Sequence, residues 1–343
     1  MADVAGSQEN GPEQGAHVAD LTPMWQAMRQ ALDLLDPHTA LVARYHLGFA
    51  DEHGRPAEGN SGKAVRAALA LLSAQAAGAA AEVGLPGAVA VELLHNSSLV
   101  HDDLLDRDPT RRHRPTVWTV WDETTAVLTG DALLGLAQEV VLAAPHGASA
   151  GLLLASATRA LIRGQVDDIA FESRDLVTLD ECLAMVADKT GALLAASAAI
   201  GAVLAGADPA LVGALQRYGA EIGVAFQLVD DVLGVWGDPV VTGKPVFSDL
   251  ASRKKSLVMC WTTGSAGAPA RQVADWLTDP AGADRDLAHI AELMERAGAR
   301  EWALQEAASR LDAAERALAS APIPPEVLRR LRELGRSLAR RRS

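Results

Sequence analysis

Apolar residues recur at helical spacing through nearly the whole chain. In VRAALALLSAQAAGAAAEV (65–83) and AVAVELLHNSSLVHDDLL (88–105), Ala and Leu return every third or fourth position, which lays an apolar stripe along an α-helix. Alternating β-branched runs are almost absent, so strands are not expected. Gly and Pro punctuate the pattern at GLPG (84–87), APHGASAG (144–151), GADPA (206–210), WGDPVVTGKP (236–245) and APIPP (321–325). At each of these, a turn or a missing backbone donor ends a helix. The first residues, MADVAGSQENGPEQGAHVAD, lack the basic start and apolar run of a secretion signal. They predict a disordered polar tail over 1–20, and the rest predicts one large all-α domain over 21–343, of about ten helices.

Composition narrows the function classes. A net charge of -13 over 343 residues argues against nucleic acid as partner, since phosphate-binding surfaces carry a basic excess. Cys182 and Cys260 are far apart, without metal-ligand spacing, and predict inert thiols in a reducing, cytoplasmic setting. Residues 190–207, TGALLAASAAIGAVLAGA, carry no charge and approach the length of a membrane span. Ala, Gly and Ser gain little from lipid, so a buried core helix is predicted and stable membrane insertion is not.

The candidate chemistry lies in two acidic helices. Asp102 and Asp106 are four apart in HDDLLD (101–106), which sets them on one face a turn from each other, with Asp103 about 100° away. In FQLVDD (226–231), Gln227 and Asp230 share a second face. Flanking Leu and Val would bury both helices, which argues against ordinary solvated faces. Mg²⁺ binds through one or two carboxylates plus phosphate oxygens and water, so two such helices could grip a diphosphate through metal ions. Cations to complete the neutralisation stand at intervals: Lys63 and Arg66, Arg111 and Arg112, Lys189 beside Thr190, Lys244, Lys254 and Lys255. His95 lies seven residues before Asp102, on the same face.

The ordered set GKAVR, HDDLLD, RR, KT, FQLVDD, GK and DLASRKKS resembles the trans-isoprenyl diphosphate synthases, or polyprenyl synthetases, over roughly residues 24–320. That resemblance implies antiparallel helices around a deep central cavity, and a homodimer. It implies that Asp102, Asp106 and Asp230 bind about three Mg²⁺ ions, with Mn²⁺ as a substitute. It assigns Arg111, Lys189, Thr190, Gln227, Lys244 and Lys254 to the allylic diphosphate or its metals. Lys63, Arg66, His95 and Arg112 fall to the diphosphate of isopentenyl diphosphate. The catalytic set is then Asp102, Asp106, Arg111, Lys189, Asp230 and Lys244.

The chain departs from the family pattern at four places: Gly234 replaces a third aspartate of the second motif, Ala64 an arginine, His113 a glycine and Trp118 a histidine. One turn below Asp102 lie Ser98 and Ser97, and two turns below lies Leu94. Short-chain members carry an aromatic at that first level, so small residues there predict a product of C20 or longer, geranylgeranyl diphosphate first. A terpene cyclase on the same fold would have no use for the second basic set. A non-catalytic regulatory subunit could dispense with the aspartates.

Overall fold

A computed structural model describes residues 20–57, 64–239, 246–279 and 286–339. The predicted tail over 1–20 therefore lies outside the described residues except for Asp20. The all-α prediction holds. In chain order the helices are α1 (Thr22–Leu32), α2 (Pro37–His46), α3 (Val65–Ala76), α4 (Leu85–Leu105), α5 (Val117–Val120), α6 (Glu123–Leu142), α7 (Gly147–Glu172) and α8 (Leu179–Val186). They continue as α9 (Ala192–Leu204), α10 (Pro209–Trp236), α11 (Ser248–Ala251), α12 (Leu257–Gly264), α13 (Ala268–Thr278), α14 (Leu287–Ala297), α15 (Ala299–Ala319) and α16 (Pro325–Ala339). Twelve of these have ten residues or more, so the count exceeds the ten expected. One element has no counterpart in the periodicity: a two-stranded hairpin, β1 (Thr110–Arg111) and β2 (Arg114–Pro115).

The breaks fall where the punctuation sets them. α10 starts at Pro209, whose missing N–H costs nothing at a first turn, with Asp208 capping Ala210 N–H at 2.7 Å. α15 and α16 are separated at the APIPP stretch, and α6 and α7 at APHGASAG.

α9 is the central helix, packed by α3, α4, α7 and α10. Its Ala198, Ala199, Ile200 and Ala202 are wholly buried. Small residues permit this crowding: a Cβ on Gly201 would strike the backbone of α3 at Ala70, and one on Gly219 of α10 would strike that of α9 at Leu194. The apolar run over 190–207 is thus a core helix, as predicted. Leu179–Leu204 and Glu123–Leu142 are both long and apolar enough to cross a membrane; 61% of the first's most apolar window is buried in the protein, against 39% of the second's. The lower figure reflects Val127 and Leu128 of α6, which are exposed; Leu152, Ile162 and Val166 of α7 are exposed as well.

Candidate active site

α4 carries the first acidic pair at its C-terminal end. Asp102 lies in its last turn and Asp106 is its C-cap. Burial pushes the Asp102 carboxyl up to about 6, and the charge of Asp106 adds to that, against the pull of Lys189 and Arg111. Burial likewise raises Asp106. Asp103, on the other face, is 2% exposed and accepts from Arg111 Nε at 2.5 Å. Its second oxygen is buried without a partner among the described residues, and burial holds its carboxyl near 6. Arg111 is therefore anchored from below by a carboxylate that the sequence pattern left without a role.

Opposite the pair, the chain departs from α-helical winding. Ala187–Gly191 forms one π-helical turn between α8 and α9, and such turns insert a residue and re-aim side chains at sites. The turn carries Lys189 and Thr190. α7 presses on it through Gly164, where a Cβ would overlap the Lys189 backbone. This close approach lets Lys189 Nζ donate to Asp168 of α7 at 2.5 Å. Asp168 and Gln165, whose buried amide has no partner among the described residues, were not singled out from the sequence. The run GQVDD (164–168) could have drawn notice, since helical spacing sets Gln165 and Asp168 on one face and Gly164 one turn before Asp168.

α10 brings the second motif. Thr190 Oγ1 donates to Gln227 Oε1 at 3.1 Å, Gln227 Nε2 donates to Asp231 Oδ1 at 2.8 Å, and Leu257 N donates to Asp231 Oδ2 at 2.8 Å. Asp231 thus caps the start of α12 while orienting Gln227. Even so, burial raises it to about 7. Lys254, after α11, is held firmly charged by Asp231, Asp249, Asp168 and Asp230 despite its burial. Lys254 therefore joins α7, α10 and α11 electrostatically.

The basic set gathers at the N-terminal end of α3. That helix has no cap of its own: Ala64, at φ 41°, offers no side-chain acceptor. Glu92 of α4, 3% exposed, supplies it by accepting Ala67 N–H at 3.1 Å. Its charge also faces Arg66 and Arg112. His95 lies in the field of Arg66, Arg112, Arg111 and His46, and burial with these charges drives it well below the usual histidine value. His46 falls to about 3 for the same reasons. Both imidazoles are neutral hydrogen-bonding groups at neutral pH.

The hairpin that presents Arg112 explains His113. Arg111 pairs with Arg114, leaving Arg112 (φ 52°) and His113 (φ 63°) as a two-residue turn. Both positions of such a turn need positive φ, which glycine adopts without strain. Trp118 has a structural place: its indole N–H donates to Asp108 O at 2.9 Å, tying down the loop after Asp106.

Lys63 and Lys244 lie outside the described residues. Ser97 is where the structure departs from expectation. It does not border open space: it is 3% exposed and its hydroxyl donates to Gly130 O of α6 at 2.7 Å. Ser98 donates to His95 O within its own helix. Leu94 is buried in the cluster with Leu133, Leu136 and Leu193. Helix phase alone could not show this, because which neighbour covers a position is a tertiary matter.

The donor set fits a hard cation. Among the described residues no group of three or more protein ligands is placed to hold a metal ion, so a Mg²⁺ held by Asp102 and Asp106 would take its remaining oxygens from substrate and water. The raised carboxyls of Asp102 and Asp106 are the cost of two neighbouring, partly desolvated charges, and a cation relieves it. Protons therefore compete with the metal. The Mg²⁺ needed for half-maximal binding of inorganic diphosphate is expected to be flat above about pH 7 and to rise up to about tenfold per unit below about pH 6. A requirement independent of pH across that range, by calorimetry, would count against Asp102 as ligand.

Comparison with known proteins shows the family. The polyprenyl synthetase family pattern matches residues 55–294. A protein of Mycobacterium tuberculosis named (2E,6E)-farnesyl diphosphate synthase is 56% identical over 286 residues, 82% of this chain and 80% of its own. A geranylgeranyl diphosphate synthase from the same organism is 39% identical over 90% of this chain and 89% of its own. The crystal structure of a polyprenyl synthetase from Streptomyces coelicolor superposes with a TM-score of 0.88 at 47% identity, covering 93% of this chain and 97% of that one. The expected product of C20 or longer is not confirmed, since the 56%-identical relative is named for a C15 product. The chain belongs to the polyprenyl synthetase family and is a prenyltransferase.

Proposed function

We propose that the protein condenses isopentenyl diphosphate with an allylic diphosphate, head to tail, in a Mg²⁺-dependent reaction. One observation supports this: basic side chains gather at two places along α4, Lys189 by Asp102 and Asp106, and Arg66 and Arg112 by Glu92 and His95. Asp102, Asp106 and Asp230 serve the metals of the allylic diphosphate, with Arg111, Lys189, Thr190, Gln227, Lys244 and Lys254 around it. Lys63, Arg66, His95 and Arg112 hold the second diphosphate. Bound Mg²⁺ supplies charge stabilisation for the departing diphosphate, commonly the largest catalytic contribution. Lys189 and Arg111 add fixed positive charge on the same side, each pre-oriented by a carboxylate, Asp168 and Asp103. The neutral His95 donates a hydrogen bond without repelling Arg66 or Arg112. Apolar walls exclude water, which would otherwise quench the allylic cation before the isopentenyl double bond attacks. The carbon skeleton then loses a proton, and released diphosphate is the acceptor at hand.

The product we propose is farnesyl diphosphate, C15. The name of the 56%-identical relative supports it, as does Leu94 packed among leucines two turns below Asp102. A C20 product is the second reading, favoured by the name of the 39%-identical relative. The exposed apolar side of α6 and α7 supports a homodimer. The burial of α9 supports its reading as a core helix in place of a membrane span; a cytoplasmic setting is part of this reading.

The test is incubation with labelled isopentenyl diphosphate and, in turn, dimethylallyl, geranyl and farnesyl diphosphates, followed by chromatography of the dephosphorylated products. Farnesol as main product from the first two primers is expected. Geranylgeraniol as main product from all three favours the second reading. A cyclic hydrocarbon without elongation would sink the proposal.

A further inference from the structure

Gln165 of α7 is 8% exposed, and neither its Oε1 nor its Nε2 has a hydrogen-bond partner among the described residues. An amide buried in that state costs the fold stability, so a native chain keeps one where a ligand or a reaction completes it. Its place along α7 shows what that could be. Asp168, one turn towards the C-terminus, accepts from Lys189 Nζ at 2.5 Å, and its charge reaches Asp102 and Asp106. Leu161, one turn towards the N-terminus, packs against the cluster that holds Leu94, Leu133, Leu136 and Leu193. Helical spacing sets Leu161, Gln165 and Asp168 on one face. Gln165 is therefore the polar group at a border, with charges on one side and leucines on the other. An allylic diphosphate with its phosphates against Lys189 and its hydrocarbon towards the leucines lays its reacting carbons across that border.

We propose that Gln165 is a catalytic residue whose amide oxygen faces the allylic carbons and stabilises the positive charge that develops there as the bond to diphosphate breaks. The assignment rests on the synthase reading above. In that step the bonding pair leaves on the diphosphate oxygen, the charge spreads over the first and third allylic carbons, and the isopentenyl double bond supplies the pair for the new carbon–carbon bond. Gln165 forms and breaks no bond. It contributes an oriented dipole in a site closed to water, where the low dielectric strengthens its field. A water molecule could offer the same lone pairs, but it could also attack the cation. An amide oxygen fixed to α7 offers them without a free hydroxyl.

The experiment compares wild type with Gln165→Met, which keeps the length and removes the amide, and Gln165→Glu, which keeps an oxygen at the same reach. Each is assayed for condensation of isopentenyl diphosphate with geranyl diphosphate, for Mg²⁺-dependent binding of inorganic diphosphate by calorimetry, and for thermal unfolding. Gln165→Met is expected to lower kcat by about 10²-fold, the loss typical of one electrostatic group aimed at a developing charge. Both KM values and the diphosphate affinity are expected to stay within about threefold of wild type, since the ground-state grip on the phosphates is untouched. The same variant is expected to melt no lower than wild type, because it removes an unpaired buried amide. Gln165→Glu is expected to keep kcat about tenfold or more above that of Gln165→Met. A kcat for Gln165→Met within about threefold of wild type overturns the assignment, and so does a Gln165→Glu no faster than Gln165→Met. A fall in kcat matched by an equal loss of diphosphate affinity or by a lower Tm makes Gln165 a packing group, as does failure of both variants to fold, and either result overturns it too. Wild type that condenses no primer with isopentenyl diphosphate would instead reject the synthase reading itself, and the assignment with it.

Discussion

Asp102→Asn is expected to lower kcat/KM for condensation by about 10²–10³-fold, the loss typical when one electrostatic stabiliser of a developing charge is removed. The same variant is expected to melt higher than wild type when metal is absent. The sign follows from the carboxyl's position near 6 in the fold, above its unfolded value near 3.8. A group raised on folding favours the fold when protonated, so above about pH 6 the ionised form burdens the native state, and the burden vanishes below the unfolded value. Asparagine imitates the neutral form at every pH. A shift of about two units, discounted because the side chain is only half-buried, corresponds to about 1–2 kcal/mol at pH 7.5. That is a rise of about 2 °C or more in Tm for a chain of this size. Thermal unfolding in chelator, beside steady-state kinetics with Mg²⁺, separates the two effects. A variant that lost both activity and heat stability would make Asp102 a structural residue and remove the basis for its role.

Gly164→Val is expected to damage the fold and the site through one contact. The added side chain must enter the backbone of the π-helical turn at Lys189, where even a Cβ has no room. Main chain cannot yield as a flexible side chain does, so α7 and the turn must part. The overpacking is expected to cost about 1–3 kcal/mol, read as a lower midpoint in urea with an unchanged slope. Parting the helices also stretches the Lys189–Asp168 pair and shifts Thr190 away from Gln227. The KM for the allylic substrate is therefore expected to rise about tenfold or more, while that for isopentenyl diphosphate, whose proposed residues sit on α3, α4 and the hairpin, changes little. Equal rises in both would mean general loosening in place of a specific displacement of Lys189.

Much of this site was legible because its chemistry is local in the chain. Asp102 and Asp106 share a face by spacing alone, and so do Gln227 and Asp230; in both cases the helix that makes the spacing meaningful is announced by its own apolar stripe. The predicted helix breaks at Pro209 and between α15 and α16 hold because Pro and Gly act within a residue or two of themselves. The chain of basic residues from Arg66 to Lys254 could be enumerated, though not arranged.

The rest depended on which helix lies against which. Asp103 anchoring Arg111, Glu92 capping α3, Asp168 meeting Lys189 and Asp231 capping α12 are each contacts between elements separated by a loop or more. No periodicity encodes them. Ser97 illustrates the limit: its phase relative to Asp102 was right, but the hydroxyl faces the backbone of α6, so a small side chain there serves close packing and leaves no measure of product length. The π-helical turn and the Arg112–His113 hairpin escaped because one inserted residue, or two residues held at positive φ, leave too short a trace in the pattern of apolar positions.

By itself, then, the sequence determined the helical fold, the two acidic faces and the basic complement, since these follow from spacing along a regular helix. Only the tertiary structure decided how the charges are divided among partners, because burial and Coulomb forces act through space. Gly234 shows both sides of that division: along the chain it is a missing carboxylate, and in the fold it is a place where the side chain of Asp249 leaves a Cβ no room.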